Sequence, residues 1–457
     1  MRNTQGEKVS GLSMSRLSQF VLSATGTFLL VMSAGSAQAQ STSSSTDSAA
    51  MTERVQQLEK ELADLKSEIA AMKTSGTGAP TTAAATAGTP ASAVLPTGAA
   101  PDASKGPTIG SLLGPTTLSG FVDVYYGENF NNPATRQNNL MFFNQASEQF
   151  NVNMLELIID KPPDAAASRL GYHIAVGYGQ AMNAIYGAST VGTTSADQYL
   201  KEYYFSYLAP VGKGLQFDVG KFVTPAGAEV IETKDNWNYT RGILFSYAIP
   251  YFHFGARAKY AFNSKYSLTA YLTNGWNDVI AINTGKTGAL SFAWTPNSKW
   301  SISQNYIVGP NEPNNTDNIR QLFDTVVSYN ATKKLSLMTN YDYARGDRLA
   351  GVTPVIWWTG IAGYAKYQFN DKYAVATRYE YYDDKYNYTG IGAPGHVQEV
   401  TGTFEHPVAT HLLTRLEFRQ DIANNPIFLK GTSKMVDQQS TLTAGMVYIF
   451  DSKEGSK

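Results

Sequence analysis

TLTAGMVYIF, residues 441–450, sets Leu442, Ala444, Met446, Tyr448 and Phe450 on one face and Thr441, Thr443, Gly445, Val447 and Ile449 on the other. A period of two is that of a β-strand. An apolar face backed by small or weakly polar residues is the pattern of a strand crossing a membrane in a closed barrel, apolar side outward. A soluble sandwich also alternates, but buries its apolar face against a second sheet.

Upstream, a repeated tetrapeptide opens strand after strand. FNSK at 262–265 precedes YSLTAYLTNG, PNSK at 296–299 precedes WSISQNYIVG, and FNDK at 369–372 precedes YAVATRYEYY. NATK at 330–333 leads into KLSLMTNYDYA. Asn, Asp and Ser are turn residues because their side chains bond the backbone nearby. Each turn is followed by a run of about ten residues, the length a tilted membrane strand needs. Longer Gly/Asn/Pro segments lie between, at 309–318 and 383–395. Short connections on one rim and long ones on the other mark outer-membrane barrels. Short turns fall near residues 165, 212, 264, 298, 332, 370 and 408. Seven of them, with both chain ends on one rim, predict a sixteen-stranded antiparallel transmembrane β-barrel from about residue 117 to 450, in a domain of 108–457.

The segments before the barrel read differently. Arg2, Lys8 and Arg16, then an apolar stretch over 20–34 and the small-x-small site Ala37-Gln38-Ala39, predict a signal peptide over 1–39. Met14 is an alternative start. After a flexible segment (40–50), Met51, Val55, Leu58, Leu62, Leu65, Ile69 and Met72 repeat at 4-3 spacing. That is an unbroken heptad run, a short α-helical coiled coil over 51–73. Arg54 with Glu59, Glu61 with Lys66 and Glu68 with Lys73 then fall at g and e′ with opposite signs, the register of parallel strands. The mixed core leaves dimer and trimer open. Residues 74–107 are Ala, Thr, Gly and Pro with almost no charge, a linker that cannot bury enough surface to order itself.

Composition narrows the function. Net charge is −1, which argues against a nucleic-acid partner. With no cysteine there is no disulfide framework or thiolate metal site. The five histidines (173, 253, 396, 406, 411) have no metal-ligand spacing. Gly285-Lys286-Thr287 fails as a phosphate loop because Ile280 stands where glycine is required. The residues propose no catalytic group, metal or cofactor.

LQFDVGKFVTPAGAEVIETKDNWNYTRGILFSYAIPYFHFGAR, residues 215–257, resembles the OmpL-like β-barrel porin family, and LSGFVDVYYGENFNNP at 118–133 resembles its first strand. The resemblance covers about residues 117–450 and implies an outer-membrane porin for small hydrophilic solutes. Its partners would be outer-membrane lipid, the barrel-assembly machinery and two further copies in a homotrimer. Barrel proteins usually end on an aromatic residue, whereas here residues 452–457 follow Phe450-Asp451. Tyr448 and Phe450 still resemble an assembly signal. The coiled coil resembles the periplasmic extensions of some sugar porins. Two alternatives are a plugged structural barrel whose coiled coil is a periplasmic spacer, and a barrel-embedded lipid hydrolase.

Charge placement suggests how a pore would select. Opposing the apolar face puts Arg257 and Lys259 of the sixth strand, Arg378 and Glu380 of the thirteenth, and Arg415, Glu417 and Arg419 of the fifteenth inside. A charge facing lipid would cost about 2–4 kcal/mol at mid-membrane. The third long connection, 223–242, carries Glu229, Glu232 and Asp235 beside Trp237 and Tyr239. In general porins the third loop folds into the lumen. The expected constriction sets these acids against basic wall residues Arg257, Lys259, Arg378, Arg415 and Arg419. After residue 107 there are 28 basic residues (36 − 8) and 29 acidic (37 − 8), so selectivity must come from placement.

Overall fold

The computed structural model describes residues 114–188, 191–346 and 355–452, together with Lys60. The predicted signal peptide, the heptad core (Val55, Leu58, Leu62, Leu65, Ile69, Met72) and the linker lie outside the described residues.

Sixteen antiparallel strands close into one barrel. They begin with β1 (Thr117–Asn129), β2 (Gln149–Lys161), β3 (Leu170–Tyr178), β4 (Leu200–Ala209), β5 (Leu215–Val223) and β6 (Phe252–Ala261). Next come β7 (Tyr266–Thr273), β8 (Thr287–Asn297), β9 (Trp300–Glu312), β10 (Asn315–Asn330) and β11 (Leu335–Arg345). The wall continues through β12 (Trp357–Asn370), β13 (Tyr373–Asp384), β14 (Gly395–Ala409) and β15 (Leu412–Ala423). A small hairpin, β16 (Phe428–Lys430) and β17 (Lys434–Val436), sits in the last long loop before β18 (Gln438–Asp451) returns to pair with β1. Closure leaves no free sheet edge, which a membrane demands of strands.

The turn chemistry explains the repeat. Asn263 Oδ1 accepts from the amides of Lys265 and Tyr266 at 2.8 and 3.1 Å, and Asn370 Oδ1 from those of Lys372 and Tyr373 at 2.9 and 3.2 Å. Thr332 Oγ1 does the same for Lys334 and Leu335 at 3.1 and 2.9 Å. Seven short connections, these three among them, share a rim with both barrel ends, where Ser452 N bonds Leu118 O at 2.8 Å. Above that rim rings pair across strands: Trp300 on Tyr329 (4.3 Å between centres) and Tyr266 on Trp294 (6.2 Å, 6°). Such a girdle fits a membrane interface.

The barrel is inside out relative to a soluble protein. Phe205, Phe217, Leu290, Phe323, Tyr379, Val400 and Phe418 are exposed on the wall, while Asp123, Glu156, Asp218, Asp324, Glu399 and Arg419 are buried within. Two segments differ from the sequence reading. Residues 309–318 are mostly strand: β9 and β10 continue to a tight turn, since Asn314 adopts φ 57° and Asn315 Nδ2 bonds Glu312 Oε2 at 2.7 Å. The third long connection spans 224–251 rather than 223–242, because its apolar continuation turns into a π-helical segment, Leu244–Ala248.

Candidate functional site

The loop 224–251 folds into the lumen. An amide clip shapes its first half: Asn236 Oδ1 accepts from Val230 N at 2.9 Å and Asn236 Nδ2 donates to Val230 O at 2.7 Å. Apolar Ala226, Ile231, Leu244 and Phe245 are all but inaccessible. The loop then crosses to the wall formed by β15, β18 and β1. Glu417 accepts from the amides of Tyr239 and Thr240 at 2.5 and 2.9 Å, and the Tyr239 hydroxyl donates to Asp123 at 2.7 Å. Tyr239 lies over Gly445, where a Cβ would come within 2.2 Å of its ring. The π-helical segment leans on β12, with Trp358 Nε1 donating to Ala248 O at 3.0 Å.

Basic wall residues hold this loop. Arg378 donates to Glu229 at 2.5 Å, to Thr240 O at 2.6 Å and to Glu399 at 2.6 Å. Arg415 reaches Thr233 O and Asn236 O at 2.5 and 2.6 Å while paired with Glu405 at 2.7 Å. Arg419 bonds Arg241 O at 2.8 Å and pairs with Asp421 at 2.8 Å. All three guanidinium groups are buried. Arg257 stands on a different wall, bonded to Asp218 at 2.7 Å, and Lys259 shares its face of β6 two residues on.

The three loop acids have different surroundings. Glu229 is buried between Arg378 and Gly242 N, the latter at 2.6 Å. Glu232 pairs with Lys201, which also binds Glu156. Asp235 is the exposed one: its side chain is 53% accessible and pairs with neighbouring Lys234 at 2.5 Å. The loop also carries a cation the sequence reading did not select, Arg241. It is buried over the Phe143 ring (5.2 Å) and bonds the carbonyls of Ile231 and Tyr239. Burial lowers the Arg241 pKa despite nearby Asp123, and burial beside Asp123 raises that of Tyr239 well above the ordinary phenol range.

Asp123, Glu399, Glu405 and Lys201 were also missed. Alternation along β1 and β14 would have placed the first three inside. Lys201 had no such signal, because the pairing of β3 with β4 slips between Ala175 and Val176. Tyr448 and Phe450 occupy outward positions of β18, half exposed or partly so. Among the described residues no cluster of three or more His, Asp or Glu has a metal-binding arrangement, and no helix is long and apolar enough to cross a membrane.

Residues 115–450 match the family described as "Putative beta-barrel porin-2, OmpL-like". No curated protein sequence matches the chain. Among solved structures, the anion-selective porin from Comamonas acidovorans superposes with a TM-score of 0.50 at 12% identity, over 73% of this chain and 99% of that one. The outer membrane channel DcaP of Acinetobacter baumannii gives 0.48 at 11%, over 73% and 97%. Salmonella typhi OmpF in complex with daunomycin gives 0.48 at 12%, over 73% and 97%. At such identities the likeness to the first is one of fold.

Proposed function

The chain belongs to the OmpL-like β-barrel porin family and is a bacterial outer-membrane channel; from that premise we propose that its third loop is the constriction that selects small hydrophilic solutes. The carrying observation is that this loop lies within the barrel and bonds β13, β15 and β1 at once. Passage is passive and no catalytic step is involved.

Within the constriction the charged groups divide the work. Arg378, Arg415 and Arg419, with Glu229 paired to the first, fix the loop's position. Charge-assisted bonds in a poorly hydrated lumen are the strong ones, so they suit that task. Asp235 is the loop acid most open to passing ions, and Glu232 is partly so. Lys259 supplies positive charge on another wall, where its neighbour Arg257 is paired with Asp218. A field between these groups orients polar solutes and disfavours apolar ones. Near-balance of the barrel's charges makes the resulting ion preference weak.

Three copies assemble through their barrels, and residues 51–72 form a parallel coil on the periplasmic side. Tyr448 and Phe450 serve as the assembly signal. The test is the reversal potential across a planar bilayer under a KCl gradient. Replacing Glu229 and Glu232 by Gln and Asp235 by Asn shifts it toward anion preference. A triple variant with an unaltered reversal potential at low and high salt would reject the constriction.

A further inference from the structure

At the long-loop rim, beside the loop that folds into the lumen, lies a cavity of about 540 Å³. Pockets that enclose small ligands span about 300–1,000 Å³. Its floor comes from the third loop through Ser246, Tyr247, Ile249 and Tyr251, so a solute held here stands immediately before the constriction. One wall is a built aromatic assembly. The Arg320 guanidinium of β10 lies 4.9 Å from the Trp276 ring centre, 5.2 Å from Tyr388 and 5.6 Å from Trp358. Trp358 stacks on Tyr388 at 5.4 Å and 20°, and Trp276 meets Trp358 edge-on at 6.4 Å and 82°. Tyr388 also accepts from Arg320 through its hydroxyl.

We propose that this vestibule is a capture site for a neutral pyranoside of one or two sugar units. The inference rests on the porin reading above and names the solute class that the same pore takes. Two features select the class. Among the described lining residues the charged ones are Arg320 and Asp278, of opposite sign, so the site is formally neutral and offers an ion no net compensation for lost hydration. Trp358 is buried behind the wall, whereas Trp276 and Tyr388 are partly exposed and line the cavity; the negative π-face of such a ring attracts the weakly positive C–H face of a pyranose. Hydroxyls on the sugar's edge then meet Asn277, Asn311 and Thr389. A flat aromatic acid would satisfy the rings but bring an unmatched charge.

Single-channel recording with maltose in both chambers, and separately with sodium benzoate, tests this. Maltose should interrupt the open-channel current in a saturable, millimolar manner, and benzoate should not. In Trp276→Ala and Arg320→Lys, which removes the planar guanidinium but keeps its charge, the half-blocking concentration should rise about tenfold, the loss expected from about 1.4 kcal/mol of stacking. Maltose should also change the tryptophan fluorescence of the detergent-solubilised full chain, a readout independent of conduction and of any variant. Open channels that maltose neither blocks nor quenches would overturn the capture site and leave the porin intact. Saturable block by benzoate instead would overturn the charge argument. A chain that forms no conducting channel would overturn the porin reading itself.

Discussion

Arg378 of β13 donates to Glu229 of the third loop at 2.5 Å, joining residues 149 positions apart with both side chains buried. Removing one partner of a buried pair costs about 3–5 kcal/mol, because the other charge is left uncompensated. Arg378→Met should therefore lower the denaturation midpoint in detergent and increase current noise. Adding Glu229→Gln should recover part of the loss, giving a clear coupling in a double-mutant cycle. Strictly additive effects would show that the pair does not hold the loop.

Gly445 is required by Tyr239, whose ring occupies the space a side chain would fill. Gly445→Val should displace Tyr239, break its bond to Asp123 and widen the pore. Tyr239→Phe removes only the hydroxyl, at about 1.5–3 kcal/mol for a bond to a charged group. Conductance should therefore increase more in Gly445→Val than in Tyr239→Phe. Equal conductances would mean that the ring is not an anchor.

The loop acids should contribute unequally to ion preference. Glu229 and Glu232 are largely buried against Arg378 and Lys201, whereas Asp235, paired with Lys234, is the acid most open to water. Asp235→Asn alone should produce most of the reversal-potential shift of the triple variant. That shift should shrink as salt rises, since exposed charges are screened over about 8 Å at physiological ionic strength. A shift carried chiefly by Glu229→Gln would reverse the assignment.

Leu62 falls in the heptad core, and the chain has no native cysteine. Oxidation or bifunctional crosslinking of Leu62→Cys in membranes should yield trimers on denaturing gels. Monomers alone would sink the coil, and dimers alone would set its strand number at two.

The barrel was legible because its signals are local. Asn263, Thr332 and Asn370 bond amides two and three residues on, so the turns can be read from four letters. Alternation then places Arg378, Arg415 and Arg419 inside without further information. What those guanidinium groups touch was not legible, because Thr233 O, Thr240 O and Arg241 O are backbone atoms of a loop with no period. The same holds for residues 243–251: an apolar run reads as strand, and only packing against Trp358 and Gly360 makes it a helical turn. Arg241 escaped notice for a related reason, as its partners are carbonyls and a ring rather than an acid at a fixed spacing.

Asp235→Cys would be the sole thiol in this chain, at the most exposed of the three loop acids. Adding a bulky cationic methanethiosulfonate to an open channel, with mass spectrometry of the same preparation to verify labelling, asks whether the loop lies in the ion path. A constriction built by this loop predicts discrete downward current steps, three per trimer. Complete modification with the current unchanged would place the loop outside the path and contradict the account.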